Sequence, residues 1–241
     1  MPNHAETAGV ADLPAALPDS VQKARARAWS AGSGTDAEPI MSYSDFTLEA
    51  VERRLGVTTH EAGLFPESTD VTVPAWLPEW LARGTRLALL SEKSRSEFIV
   101  VPILLAAREL SGDRFAIFSG QRLDVDPPRG LAGECDFILA LGPALPPLHA
   151  PVMTVVEAKK NDVEAGLGQC IAQMVAARRF NDDAGRPDSP VFGCVTTGET
   201  WQFLQLADGV AMLDRPRYYL DNVGRILGVL LAIFERCAGA S

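Results

Sequence analysis

Three residues in this chain have types and spacing that could do chemistry together. Asp136 sits in the run Glu134-Cys135-Asp136-Phe137-Ile138-Leu139, and Glu157 and Lys159 end the run Val152-Met153-Thr154-Val155-Val156-Glu157-Ala158-Lys159. Alternate side chains of a strand share a face, so Glu157 and Lys159 project side by side. Asp136 interrupts an otherwise apolar run, where a carboxylate is costly to bury unless it is paired or ligates a metal. If the two strands pair, Asp136 and Glu157 converge on one cation, and hard carboxylate oxygens in an open site suit Mg²⁺ or Mn²⁺. The alternative is a structural ion-pair trio of Asp136, Lys159 and an arginine.

An acid-x-Lys triplet is common by chance, so its context has to carry the weight. The chain takes its positive charge almost wholly from arginine, its only lysines being Lys23, Lys93, Lys159 and Lys160. A lysine on this face therefore suggests that a compact ammonium was needed there.

Several elements must position these residues. Ser44 is placed to cap a helix over 44–55 that Gly56 ends, and Pro74 to Leu81 suggests a second helix closed by Gly84. Trp76 and Trp80, at i and i+4, are expected to form a core stripe, with base stacking as the alternative use. A third helix is expected over 91–110, with a kink at Pro102. Strands follow over 114–121, 134–141 and 152–159, then a helix over 163–180, strands over 190–196 and 201–207 turned at Thr197-Gly198-Glu199, and a helix over 223–237. This order predicts a layered α/β domain with a mixed central sheet flanked by helices. Residues 1–39, rich in Ala, Pro, Gly and Ser, are expected to be a disordered leader, 40–90 to be lead-in helices and 91–238 to be the domain carrying the site.

The matching text is Ser91-Glu92-Lys93-Ser94-Arg95-Ser96-Glu97, then Gly133-Glu134-Cys135-Asp136-Phe137, then Val156-Glu157-Ala158-Lys159-Lys160. It resembles the PD-(D/E)xK nuclease superfamily over about residues 91–207. The Pro before the Asp that names the family is absent. The resemblance implies a restriction-endonuclease-like fold and phosphodiester hydrolysis, with Asp136 and Glu157 as metal ligands and Lys159 orienting or activating the attacking water. It also implies a helix glutamate as a further ligand. That glutamate is Glu92 or Glu97, since residues five apart do not face the same way on an α-helix; Glu92 is preferred because its spacing to Ile99 and Pro102 resembles that of related restriction-enzyme helices. RecB-like members use a glutamine on the helix after the Glu-x-Lys strand, which points to Gln169; Gln173 shares its face. The alternative for this pair is a solvated helix surface.

Other chemistries lack their motifs. There is no G-x-x-x-x-G-K-[ST], H-E-x-x-H or G-x-S-x-G, and His4, His60 and His149 have no recognisable partner, so His60 and His149 are expected in loops. Cys135, Cys170, Cys194 and Cys237 are widely spaced and are expected to be buried thiols. The apolar runs are too short for a membrane span, and the acidic N-terminus does not suit a targeting peptide, which implies a cytoplasmic protein. The net charge of -9 and pI of about 4.9 have the wrong sign for gripping long duplex DNA through many phosphates. A metal held by the carboxylates would invert the local field. The leading expectation is a Mg²⁺- or Mn²⁺-dependent nuclease, with DNA favoured over RNA, helped by a homodimer contact or by a protein that delivers the nucleic acid. The competing expectation is a nuclease-fold module that binds a partner without chemistry.

Overall fold

A computed structural model of the protein describes residues 41–68, 70–87 and 91–239; the leader expected over 1–39 lies outside the described residues. The first elements are a 3₁₀ turn, Tyr43–Asp45, and helix α1, Leu48–Leu55. Ser44 lies inside the turn and does not cap the helix. Thr47 does, accepting from the Ala50 amide at 3.2 Å, and Gly56 ends the helix in the left-handed conformation at φ 72°. Strand β1, Thr58–Ala62, and helix α2, Trp76–Leu87, follow. The expected third helix runs as α3, Glu92–Arg95, a π-helical turn over Ser96–Val100, and α4, Val101–Leu110. Pro102 has no amide to donate to Phe98, and the segment before it winds into a π turn.

Strands β2, Phe115–Arg122, β3, Glu134–Leu141, and β4, Val152–Ala158, form an antiparallel meander. A 3₁₀ turn, Glu164–Gly166, opens helix α5, Leu167–Asp183, which crosses over to β5, Val191–Thr196. Such a crossover is what the parallel pairing of β5 with β4 requires. Strands β6, Thr200–Ala207, β7, Val210–Asp214, and β8, Tyr218–Tyr219, precede the last helix, α6, Val223–Gly239. The eight-stranded mixed sheet has the order β1-β7-β6-β5-β4-β3-β2, with β8 paired to β6. The layered α/β expectation holds at this level.

The additional strands are β1, β7 and β8. Because β1 pairs in parallel with β7, the 40–90 segment supplies an edge of the sheet as well as helices. His60 stands exposed on β1 and not in a loop, whereas His149 lies outside any helix or strand.

Each face of the sheet is covered by its own apolar cluster. Leu77, Leu81, Ile103, Leu104, Leu227 and Phe234 from α2, α4 and α6 belong to one. Val51, Cys170, Ile171 and Met174 from α1 and α5 belong to the other. Strands β4 and β5, in the middle, are buried along their whole length. The four cysteines are buried thiols, as expected.

Trp76 and Trp80 do not form the core stripe. The buried side of α2 is Leu77, Leu81 and Gly84, which turns both indoles outward, with Trp80 50% exposed. The Trp76 indole N–H donates to Glu109 on α4 at 2.7 Å. Among the described residues no helix is long and apolar enough to cross a membrane.

Helix α5 is fixed lengthwise against the sheet at both ends. At its start, a Cβ on Gly168 would stand 2.3 Å from the Phe46 carbonyl oxygen, so only glycine lets the turn ahead of α1 pack there. Near its end, buried Asn181 donates to the Val152 carbonyl at 2.8 Å and accepts from the Val152 amide at 2.7 Å, which ties α5 to the first residue of β4. Replacing Asn181 by Leu leaves both groups of Val152 without that partner. The expected loss is about 2 to 6 kcal/mol in urea unfolding, at roughly 1 to 3 kcal/mol for each of the two buried unsatisfied groups; a loss under about 0.5 kcal/mol would show that Asn181 does not set this register.

Candidate active site

Strands β3 and β4 pair as Phe137↔Val156 and Ile138↔Val155. One step further along the same register sets Asp136 opposite Glu157, so the two carboxylates are cross-strand neighbours. Asp136 Oδ2 accepts the Ala158 amide at 2.8 Å, which pins its side chain across the strand gap. Lys159 stands one residue beyond β4, and its amide donates to the Thr196 carbonyl at 2.7 Å, extending the β4–β5 pairing to its end. The group thus lies at the carboxyl end of the parallel pair, where open α/β sheets commonly bind ligands.

Side-chain contacts join Glu157, Lys159, Gln169 and Gln173. The Lys159 ammonium donates to Glu157 Oε1 at 2.8 Å and to Gln169 Oε1 at 2.9 Å. Gln173 Nε2 donates to Glu157 Oε2 at 2.8 Å. Glu157 is only 2% exposed and Gln173 is fully buried. Lys159 reaches Gln169 by lying across the turn before α5; a Cβ on Gly166 would come within 3.1 Å of Lys159 Cγ and 2.6 Å of Val195 Cγ1. The small residues of Gly166-Leu167-Gly168 therefore serve two close approaches, one to the sheet and one to the turn ahead of α1.

Glu92 and Glu97 both line the cleft of about 290 Å³ that contains Asp136. The expectation that residues five apart must diverge holds for a regular α-helix, but Ser96–Val100 is a π turn, wider than an α turn, and the phase shifts there. Glu97 pairs with Lys93 at 4.0 Å, whereas it is the charge of Glu92 that acts on Asp136 and Lys159. Arg95 holds the glutamate helix to the same end of the central strands by donating to the Thr197 carbonyl at 3.1 Å, next to the residue that receives the Lys159 amide.

The electrostatics follow from burial. Desolvation, reinforced by the Asp136 charge, pushes the Glu157 carboxyl up to about 7, against the opposing pull of Lys159 and Gln173. Burial also raises Asp136, opposed by the Ala158 amide and helped by Glu92. Burial works against the Lys159 ammonium, yet its bond to Glu157 and the surrounding carboxylates hold its pKa above the ordinary lysine value. Two adjacent carboxylates that both resist ionisation form a site short of positive charge.

The residues fit a particular kind of cation. Among the described residues no three carboxylate, imidazole or thiol side chains are gathered closely enough to hold a metal, so Asp136, Glu157 and Glu92 do not form a closed cage. Mg²⁺ is commonly held by one or two carboxylates with waters and substrate phosphates completing its shell, and Asp136 with Glu157 meets that requirement. Among the described residues only Oδ2 of Asp136 is engaged, which leaves Oδ1 for a ligand.

Two contributors were missed in the sequence. In the sequence Gln173 stands out only as sharing a face with Gln169, although it breaks the run Cys170-Ile171-Ala172-Gln173-Met174 in the same way that Asp136 breaks its own. Glu134 also lines the cleft, two residues before Asp136 on β3. Compared with protein-family models and with curated proteins, the chain matches none.

Glu157 is easier to bear protonated in the fold than in the unfolded chain, where its pKa is about 4.5. Its contribution to stability is therefore fully present below about pH 4.5 and is lost as pH rises through about 7. In thermal melts without divalent cations, wild type should lose stability relative to Glu157→Gln as pH rises from about 5 to about 8; parallel pH curves for the two proteins would contradict this.

Proposed function

We propose that the protein is a Mg²⁺- or Mn²⁺-dependent nuclease of the PD-(D/E)xK type, hydrolysing phosphodiester bonds with DNA favoured over RNA. The observation that carries this reading is the placement of Asp136 and Glu157 at one strand step, with Lys159 bonded to Glu157 at 2.8 Å. The succession of glutamate helix, β3 with its Asp, β4 with Glu-x-Lys and α5 with its glutamines supports a restriction-endonuclease-like fold.

Asp136 and Glu157 would hold the cation and Glu92 would stand beside them at the cleft. A bound divalent cation would supply Lewis acidity at a phosphate oxygen and lower the pKa of its water. Lys159 has three N–H groups, of which Glu157 and Gln169 use two, leaving one for an attacking water or a phosphate oxygen. Its raised pKa keeps it charged at neutral pH, so it acts by donation and by offsetting phosphate charge, and not as a base.

A second reading is favoured by the net charge of -9 and by the acidic cleft, where Glu92, Glu97 and Glu134 accompany Asp136. In it the domain binds a partner without cutting. An associated protein or a second copy that brings the nucleic acid would reconcile the two.

Asp136→Asn separates them. An amide oxygen can still accept the Ala158 amide, and removing the charge relieves Glu157, so the melting temperature should hold or rise. Cleavage of single- or double-stranded substrates with Mg²⁺ or Mn²⁺ should meanwhile fall by about 100-fold or more, the scale on which preorganised electrostatic groups act. Wild type that cuts no DNA or RNA with either metal supports the binding module.

A further inference from the structure

Gln173 is a fully buried polar residue whose hydrogen bond goes to a single partner, Glu157 Oε2, and whose own Oε1 is buried with no hydrogen-bond partner among the described residues. Packing does not account for it, because a methionine of similar length would fill the same space between α5 and the sheet without leaving an orphaned acceptor. The amide must earn its place through Glu157.

The geometry points to Gln173 as a positioning residue that fixes the plane of the Glu157 carboxylate for a divalent cation. This inference rests on the cation site proposed above. Lys159 marks Oε1 and Gln173 marks Oε2, so the two oxygens have different fixed partners and the carboxylate cannot turn about its last bond without breaking both contacts. A carboxylate offers about four lone-pair directions, and two remain for a ligand. The opposite orientation of the neighbouring amide is informative. Gln169 presents its carbonyl to an ammonium, while Gln173 presents its amino group to a carboxylate one helical turn later, so α5 meets the Glu157–Lys159 pair with complementary dipoles. The spacing works because Gly166, Gly168 and Asn181 fix how far α5 is displaced along β4.

Gln169 touches the ammonium and Gln173 the carboxylate, so removing each amide should have a different consequence. Calorimetric titration of the full chain with Mn²⁺ should show Gln173→Met binding about 10-fold more weakly than wild type, while Gln169→Met stays within about twofold. Saturating Mn²⁺ should restore the cleavage rate of Gln173→Met, because the defect lies in holding the cation. A general loss of helix packing would weaken both variants alike and would not be rescued. Equal Mn²⁺ affinity in wild type and Gln173→Met, or equal weakening in both variants, would overturn the assignment. In wild type itself, addition of Mg²⁺ should shift the Gln173 side-chain amide resonances, and unmoved resonances at saturating Mg²⁺ would overturn it whether or not the variant folds. Wild type that binds no Mn²⁺ would instead overturn the underlying cation site.

Discussion

Glu157 is a carboxylate 2% exposed at the end of a strand whose seven residues are all buried, and the surrounding structure can be understood as the answer to that constraint. An ionised carboxylate leaves water only if its charge is opposed and its lone pairs are occupied. Lys159 opposes the charge and Gln173 occupies the second oxygen, but burial, reinforced by Asp136 across the strand pair, works the other way and keeps the pKa near 7. With both carboxylates ionised, Asp136, Glu157 and Lys159 together carry one net negative charge. A protein selected for stability alone would have little use for a second carboxylate at that position, and this is the physical reason to regard the pair as functional.

The compensation depends on where α5 lies. Its glutamines reach the Glu157–Lys159 pair only because two glycines let the start of the helix come close, one to Val195 and Lys159 and the other to the Phe46 carbonyl, and because Asn181 clips its far end to β4. On the opposite side, Glu92 and Glu97 both line the cleft, and Arg95 fastens their helix to Thr197 at the end of β5. Two helices on opposite faces of the sheet are thus both referred to the same short stretch of backbone at the carboxyl ends of β4 and β5. That arrangement makes the cleft acidic, which suits a cation and opposes a polyanion brought close without one.

The elements nearest the site were legible because their signals are local. A charged residue in an apolar run marked Asp136 and Glu157, and period and turn residues marked β2 to β6 and the helices between them. Strand β1 was not legible because it is an exposed edge whose residues, Thr58 to Ala62, show no apolar alternation. Strand β7 carried a signal that was passed over: Asp208-Gly209 makes a two-residue hairpin loop with φ of 50° and 75°, the positive values that an Asp-Gly turn is suited to adopt. The tryptophans misled because i, i+4 spacing defines a helix face but not which face is inward, and Leu77 and Leu81 have the same spacing one residue on. The roles of Gln173 and of the π turn depend on packing between distant segments, which no local pattern encodes.

The central claim is that Asp136 and Glu157 share one divalent cation. The most direct measurement is an anomalous difference map from crystals of the full chain soaked in Mn²⁺. The account requires a peak between the Asp136 and Glu157 carboxylates, absent from Asp136→Asn crystals soaked in the same way. No peak there at a Mn²⁺ concentration that saturates solution binding, or an equal peak in the variant, would contradict it.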